Sequence, residues 1–245
     1  MRIVRTRRGA VVLERHAVLS TVLSAPGPLH DLYDVLAAAV VELSPGPRVV
    51  LLGFAGGGIL APLRALGWSG KLRAVDRSLE LHGLYRELAE GWAGEVQVHR
   101  AEASEWLARR DGSLDAVIED LTVCSTSGPT KPPVSVDVLP GLMRRRVARG
   151  GIVAVNVLPV PGMAWKTLLP RIAAPWPDAR VVTFREYENR VLICGSGLPA
   201  AAALSLRLRA RLRAIGSRQL RRIAVRTLPR GGSRAPVAAR RRSGL

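Results

Sequence analysis

The chain has 245 residues, 48% of them hydrophobic, which is enough to bury a sizeable core and too apolar for a disordered polymer. Its two cysteines, Cys124 and Cys194, have no CxxC spacing or ligand-like neighbour, which argues against a disulfide scaffold or a zinc module and fits a reducing compartment. The formal charge of +18 is uneven: residues 199–245 hold thirteen arginines and no acid, so the remainder carries only about +5.

The N-terminal stretch MRIVRTRRGAVVLERH lacks the apolar segment and cleavage site of a signal peptide. The longest apolar run, between Arg48 and Arg64, is broken by glycines and shorter than the ~18 residues a membrane span needs. A cytoplasmic protein with no membrane span is the expectation.

In chain order, residues 3–23 read as short strands rich in Val and Leu, with a turn at Arg8-Gly9. Leu29, Leu32, Leu36, Val40 and Leu43 recur at helical spacing, which predicts a helix over 29–43 ended by Ser44-Pro45-Gly46-Pro47. Strands and helices then alternate. The strands are RVVLLGF, KLRAVD, EVQVHR, LDAVIED and GGIVAVNVL; the helices lie near 58–67, 78–91, 104–110, 137–148 and 163–174. A proline-rich loop is expected at 125–133. Two final strands, ARVVTFREY and NRVLICG, are joined by a short turn at Glu188-Asn189. This pattern predicts an α/β fold whose mostly parallel sheet ends in an antiparallel hairpin. Leu204, Leu208, Leu212 and Ile215 mark one more helix, and the Gly/Ser/Arg/Pro mix beyond about 229 reads as disorder.

Chemistry concentrates at the strand ends. Gly53-Phe54-Ala55-Gly56-Gly57-Gly58 follows a strand and opens a helix, where free N–H groups and small residues admit a ligand. Read as G-x-A-x-x-G it partly matches a dinucleotide fingerprint; a plain tight turn explains the glycines equally well. The next strands end in acids. Asp76 can accept from ribose hydroxyls, Glu102 can reach an adenine edge, and Asp120 stands over the same rim. Carboxylates suit a nucleoside carrying a sulfonium and repel a pyrophosphate. His16, His82 and His99 have no spaced partners and read as surface or core residues, and the five tryptophans are scattered.

This order of glycine loop, Asp76, Glu102 and Asp120, then an RGG-led strand and a hairpin, resembles the class I S-adenosylmethionine-dependent methyltransferase superfamily. Within it the chain is most similar to the spermidine/spermine synthase group. Strands precede the domain, Leu29-His30-Asp31 resembles that group's Tyr-His-Glu, and RAVDRS resembles its V-E-I-D stretch. AEASEWL followed by LDAVIED resembles its G-D-A…Y-D-V-I-x-D run.

The resemblance implies a Rossmann-like fold with a seven-stranded sheet and a small N-terminal β element. It divides the chain into a β-strand element at 1–28, an adenosyl-binding domain at 29–198 and an Arg-rich tail at 199–245. S-adenosylmethionine or its decarboxylated form is the implied cofactor, without a metal. Gly53, Ala55, Gly56, Gly57, Asp76, Arg77, Glu102 and Ala103 would bind it. His30, Asp31, Tyr33 and Thr122 would bind a small-molecule acceptor, an amine or other nucleophile. Asp120 would be the catalytic group, orienting or deprotonating that acceptor. The relatives also suggest a homodimer.

Three departures stand out. Gly56 occupies the place of an Asp in the group's glycine motif, Asp120-Leu121-Thr122-Val123 keeps one acid of a D-x-x-D pair, and Leu29 replaces a Tyr. Aminopropyl and methyl transfer both remain open. The competing reading is a non-catalytic adenosyl-fold protein that binds nucleic acid or an acidic partner through residues 199–245. An NAD-dependent oxidoreductase is disfavoured by the terminal hairpin and the lack of a separate substrate domain.

Overall fold

The computed structural model describes residues 1–14, 17–109, 112–125 and 128–229. His16 and the stretch beyond 229 read above as disorder lie outside the described residues.

Three antiparallel strands, β1 (Arg2–Thr6), β2 (Gly9–Glu14) and β3 (Ala17–Leu23), form a small N-terminal sheet in that order. The helix expected over 29–43 begins later, as α1 (Leu32–Leu43). Asp31 is its cap, accepting from Tyr33 N at 2.8 Å. Leu29 and His30 are held outside the helix because the buried Asp34 carboxylate accepts both of their backbone N–H groups, at 2.8 and 2.9 Å. His30 turns into the left-handed region at φ 67°.

Alternation follows as the sequence predicts. The elements are β4 (Val49–Leu52), α2 (Leu60–Ala65), β5 (Leu72–Asp76), α3 (His82–Leu88), α4 (Glu90–Ala93), β6 (Val96–Arg100), α5 (Ala103–Arg109) and β7 (Leu114–Glu119). The proline-rich loop contains two short paired strands, β8 (Val123–Ser125) and β9 (Gly128–Thr130), and runs into α6 (Pro133–Asp137). Then come α7 (Leu139–Arg146), β10 (Val147–Val157), α8 (Trp165–Ala173), β11 (Asp178–Phe184), β12 (Arg190–Gly195) and α9 (Ala201–Ala214). A 3₁₀ turn at Arg218–Arg221 leads to β13 (Ile223–Thr227).

The main sheet has the order β13-β11-β12-β10-β7-β4-β5-β6. The strands β6, β5, β4, β7 and β10 are parallel, and β12, β11 and β13 are antiparallel to their neighbours. It therefore contains the expected seven strands with their terminal hairpin and one more. The sequence pattern does not predict a strand after α9, because Arg222 precedes IAVRT and Arg226 interrupts it, disguising a β-branched run that pairs with β11.

Sheet residues alternate between two apolar layers, as a sheet covered on both faces requires. Val49, Leu51, Ala116 and Ile118 face α1, α2 and α9; Val50, Leu52, Val117 and Val153 face α5, α7 and α8. Leu204, Leu208 and Leu212 of α9 are fully buried in the first layer, so this Arg-rich helix packs on the core through one apolar stripe. Strand order reverses between β4 and β7, and in open α/β sheets a crevice forms at such a point beyond the carboxyl ends of the strands.

Candidate functional site

At that crevice the chain leaves β4 at Gly53, whose φ of +91° is one that side chains rarely adopt, and a Cβ there would stand 2.9 Å from Asp120 O. Ala55 also takes a positive φ, 45°. This conformation aims two successive N–H groups, of Phe54 and Ala55, at the same Asp76 oxygen, each at 2.8 Å. The other Asp76 oxygen accepts from Ser78 N at 2.9 Å. Asp76 thus fastens the glycine turn to the end of β5.

The glycines beyond it serve a different contact. Strand β3 lies across the turn: a Cβ on Gly56 would meet Val22 Cγ2 at 2.5 Å, and one on Gly58 would meet Thr21 O at 2.4 Å. Position 56 thus has no room for the Asp of the resembled motif. The turn is half a cavity wall, through Gly53 and Ala55, and half a seat for the N-terminal sheet.

Two cavities open over the strand ends. The first, about 340 Å³, is lined by Gly53, Ala55, Asp76, Arg77, Glu80, Glu102, Ala103 and Asp120 among others. The second, about 240 Å³, is lined by Asp31, Cys124, Asn156, Tyr187 and Asn189, with Ser20 and Thr21 of β3. Glu14, Leu19, Tyr33 and Thr122 line both, so the two join. Gly56, Gly57 and His30 line neither; His30 Nδ1 instead accepts from Arg218 N at 3.4 Å, towards the 3₁₀ turn.

At the junction, Tyr33 and Asn156 close on Asp120. The phenol of Tyr33 donates to one carboxylate oxygen and the Asn156 amide to the other, each at 2.7 Å. Asn156 accepts in turn from Asn189 at 3.0 Å. Burial pushes the Asp120 carboxyl up to about 6, and the bonds from Asn156 and Tyr33 and the charge of Lys131 restrain the rise. Burial, reinforced by the Asp120 charge, pushes the Tyr33 phenol well above its ordinary value.

Burial also lifts Asp31 to about 7, with the charges of Asp34 and Asp120 adding to it. From β2, Glu14 reaches over both cavities and accepts from the Cys124 thiol at 3.1 Å. The other cysteine, Cys194, lies buried within β12, and burial raises its thiol.

Beneath the loop that follows Asp120 is a fully buried ion pair. Lys131 donates to Glu119 Oε1 at 3.0 Å and to Leu121 O at 2.9 Å, and its ammonium lies 2.8 Å from Glu119 Oε2. Ser135 and the Leu121 N–H also donate to Glu119 Oε1. These bonds hold Leu121, Lys131 and Ser135 against the end of β7.

Sequence reasoning missed Glu14, Asn156, Tyr187, Asn189 and the Lys131–Glu119 pair. Only Lys131 carried a signal: one of three lysines in a chain that otherwise uses arginine, in a proline-rich stretch with little else charged. The others sit in strands or turns whose neighbours are set by sheet pairing alone.

No protein-family model matches the chain, and no curated protein matches it significantly. Solved structures do match its shape. A probable spermidine synthase from Corynebacterium glutamicum superposes with a TM-score of 0.71 at 13% identity, over 92% of this chain and 86% of that one. Human methyltransferase-like protein 13, solved in complex with SAH, gives 0.59 at 18% identity over 84% and 95%. Spermidine synthase from Thermotoga maritima gives 0.58 at 13% identity over 81% and 73%. The fold is therefore the Rossmann-like one of spermidine synthases and class I methyltransferases.

Proposed function

We propose that the chain is a transferase that holds an adenosyl sulfonium donor, S-adenosylmethionine or its decarboxylated form, in the first cavity. It passes a methyl or aminopropyl group to a nucleophile in the second. The observation that carries this reading is the pair of joined cavities at the switch point of the sheet, with Asp120 on the wall of the first and Tyr33 on the walls of both. Among the described residues the first cavity is lined by Glu14, Asp76, Glu80, Glu102 and Asp120 against one cationic side chain, Arg77, which favours a sulfonium over a pyrophosphate.

Gly53 and Ala55 would lie against the donor, Asp76 would accept from the ribose with its remaining lone pairs, and Glu102 with Ala103 would face the adenine. Carboxylates of Glu14 and Asp31 beside the acceptor cavity favour a cationic acceptor, a primary amine. The donor supplies an already activated leaving group, so the residues' task is alignment and exclusion of water.

Calorimetry with S-adenosylmethionine and its decarboxylated analogue tests the reading. Binding of only the decarboxylated form would exclude methyl transfer, binding of only the parent would exclude aminopropyl transfer, and binding of neither would refute the donor site.

A second reading rests on the exposed arginines 213, 218, 221 and 226, whose side chains form no ion pair among the described residues. They would bind nucleic acid or an acidic partner. Others in the same segment are structural: Arg211 pairs with Glu42, Arg222 with Glu186, and Arg209 donates to Leu220 O and Ile223 O. Arg→Ser substitution at 213, 221 and 226 together should abolish salt-dependent binding to a DNA duplex if this reading holds.

A further inference from the structure

We infer that Asp31 is the group that takes the proton from the acceptor nucleophile, while Asp120 stays in place as a fixed orienting charge. This rests on the transferase reading above.

The two carboxylates are built differently. Both oxygens of Asp120 already hold a short donor, the Tyr33 phenol on one and the Asn156 amide on the other. It lines the donor cavity and not the acceptor cavity. Asp31 lines the acceptor cavity. One of its oxygens accepts Tyr33 N at 2.8 Å, and the second accepts nothing from the described side chains. Its own backbone is fixed, because it caps α1 and the residue before it is pinned by its N–H bond to the Asp34 carboxylate and by Gln219, which donates to His30 O at 2.9 Å. A carboxylate on a fixed backbone in the wall of the acceptor cavity, with one oxygen that no described side chain occupies, meets the geometric requirement for a base.

The charges around it suit the task. Asp34 lies on the same helix, Asp120 at the end of β7, Glu14 on β2, and Tyr187 in the turn after β11, its phenol raised by burial and by the charge of Asp31. His30 is the one titratable nitrogen next to it in sequence, and burial lowers that imidazole towards the neutral form. The Lys131 ammonium is committed to Glu119. Arg218 and Arg8 bear on His30, while the charges that act on Asp31 itself among the described residues are the carboxylates of Asp34 and Asp120; with its burial they make it gain a proton more readily than an ordinary Asp.

The step balances. An ammonium acceptor loses one N–H proton to the open Asp31 oxygen. The freed nitrogen lone pair forms a bond to the carbon on the donor's sulfonium sulfur. The C–S bond breaks with its electrons going to sulfur, which leaves as a neutral thioether, and the product nitrogen carries the positive charge.

Asp31→Asn is the informative variant, since Asn caps a helix as well as Asp and the fold is retained. Carboxyl ¹³C NMR of the free protein, compared with the variant, should show a resonance titrating near 7 that the variant lacks. A midpoint near the ordinary 3.8 would overturn the inference. Turnover is then followed as thioether nucleoside released from S-adenosylmethionine and its decarboxylated form, with 1,4-diaminobutane and n-butylamine as acceptor probes. The variant should bind the donor with unchanged affinity by calorimetry and lose about 100-fold or more in kcat near neutral pH. Its rate should recover towards pH 10, where the amine deprotonates unaided. An unchanged kcat and pH profile would refute the role of Asp31. Donor binding without turnover of either amine would refute it as well, together with the amine acceptor. Absence of donor binding would instead defeat the transferase reading itself.

Discussion

Replacing Lys131 by Met leaves the Glu119 carboxylate buried without its counter-ion. Both side chains are fully excluded from solvent, and the ammonium makes three close contacts, two to the carboxylate and one to Leu121 O. Removing one partner of such a pair costs about 3–5 kcal/mol, because the remaining charge stays desolvated. In a domain of this length each kcal/mol shifts the melting temperature by about 2–4 °C, so calorimetric melting at neutral pH should show a fall of about 6–20 °C. Glu119→Gln in the Lys131→Met background removes the orphaned charge while keeping acceptors for Ser135 and Leu121 N, and should restore most of the loss. The effect should also reach Asp120, since the Lys131 charge is one of the influences holding that carboxyl down. A loss below about 1 kcal/mol for Lys131→Met would refute the claim that this pair holds Leu121 and Lys131 against β7.

Other consequences are equally direct. Gly58→Ala would place a Cβ 2.4 Å from the Thr21 carbonyl, backbone that cannot swing away, and should cost about 1–3 kcal/mol by denaturant unfolding. Ser217→Ala removes a 2.6 Å bond to the buried Asp34 carboxylate and should cost about 1.5–3 kcal/mol, measured the same way. For pH, the folded-state carboxyl of Asp31 lies above its unfolded value, so its contribution to stability is present below 3.8 and is lost as pH rises through about 7. The lowered His30 acts in the opposite sense, its contribution being present above 6.5 and lost as pH falls from there through the lower folded-state value. The difference between wild type and Asp31→Asn isolates the carboxyl: the variant should gain stability relative to wild type as pH rises from 5 to 8, by about 3 kcal/mol. A flat difference would contradict the burial of Asp31.

The alternation of apolar strands and helices was readable because each strand of the parallel core is a short run bounded by glycine, proline or charge. RVVLLGF and LDAVIED declare themselves locally, and their ends carry Gly53 and Asp120 to one rim by topology alone. Asp76 and Glu102 follow from the same rule, and the structure brings all four to one cavity. Helix α9 was legible from its leucine spacing, while β13 was not, since whether IAVRT pairs depends on an edge of β11 that is contiguous only in space.

Other features were out of reach for the same reason. The glycine turn reads identically whether its small residues face a ligand or a neighbouring strand, and only the arrival of β3 over Gly56 and Gly58 decides. His30 looks like a site residue beside Asp31, yet Asp34, Ser217 and Gln219 turn it towards the C-terminal segment. Glu14, Asn156 and the pair Tyr187 and Asn189 come from three separate places in the chain. Local periodicity specifies which residues are buried on which face of an element, and so the sequence by itself determined the strands, helices and rim. The joining of two cavities by side chains from distant elements, and the placing of Asp31 in the wall of one and Asp120 in the wall of the other, depend on distances across the fold, which only the tertiary structure decided.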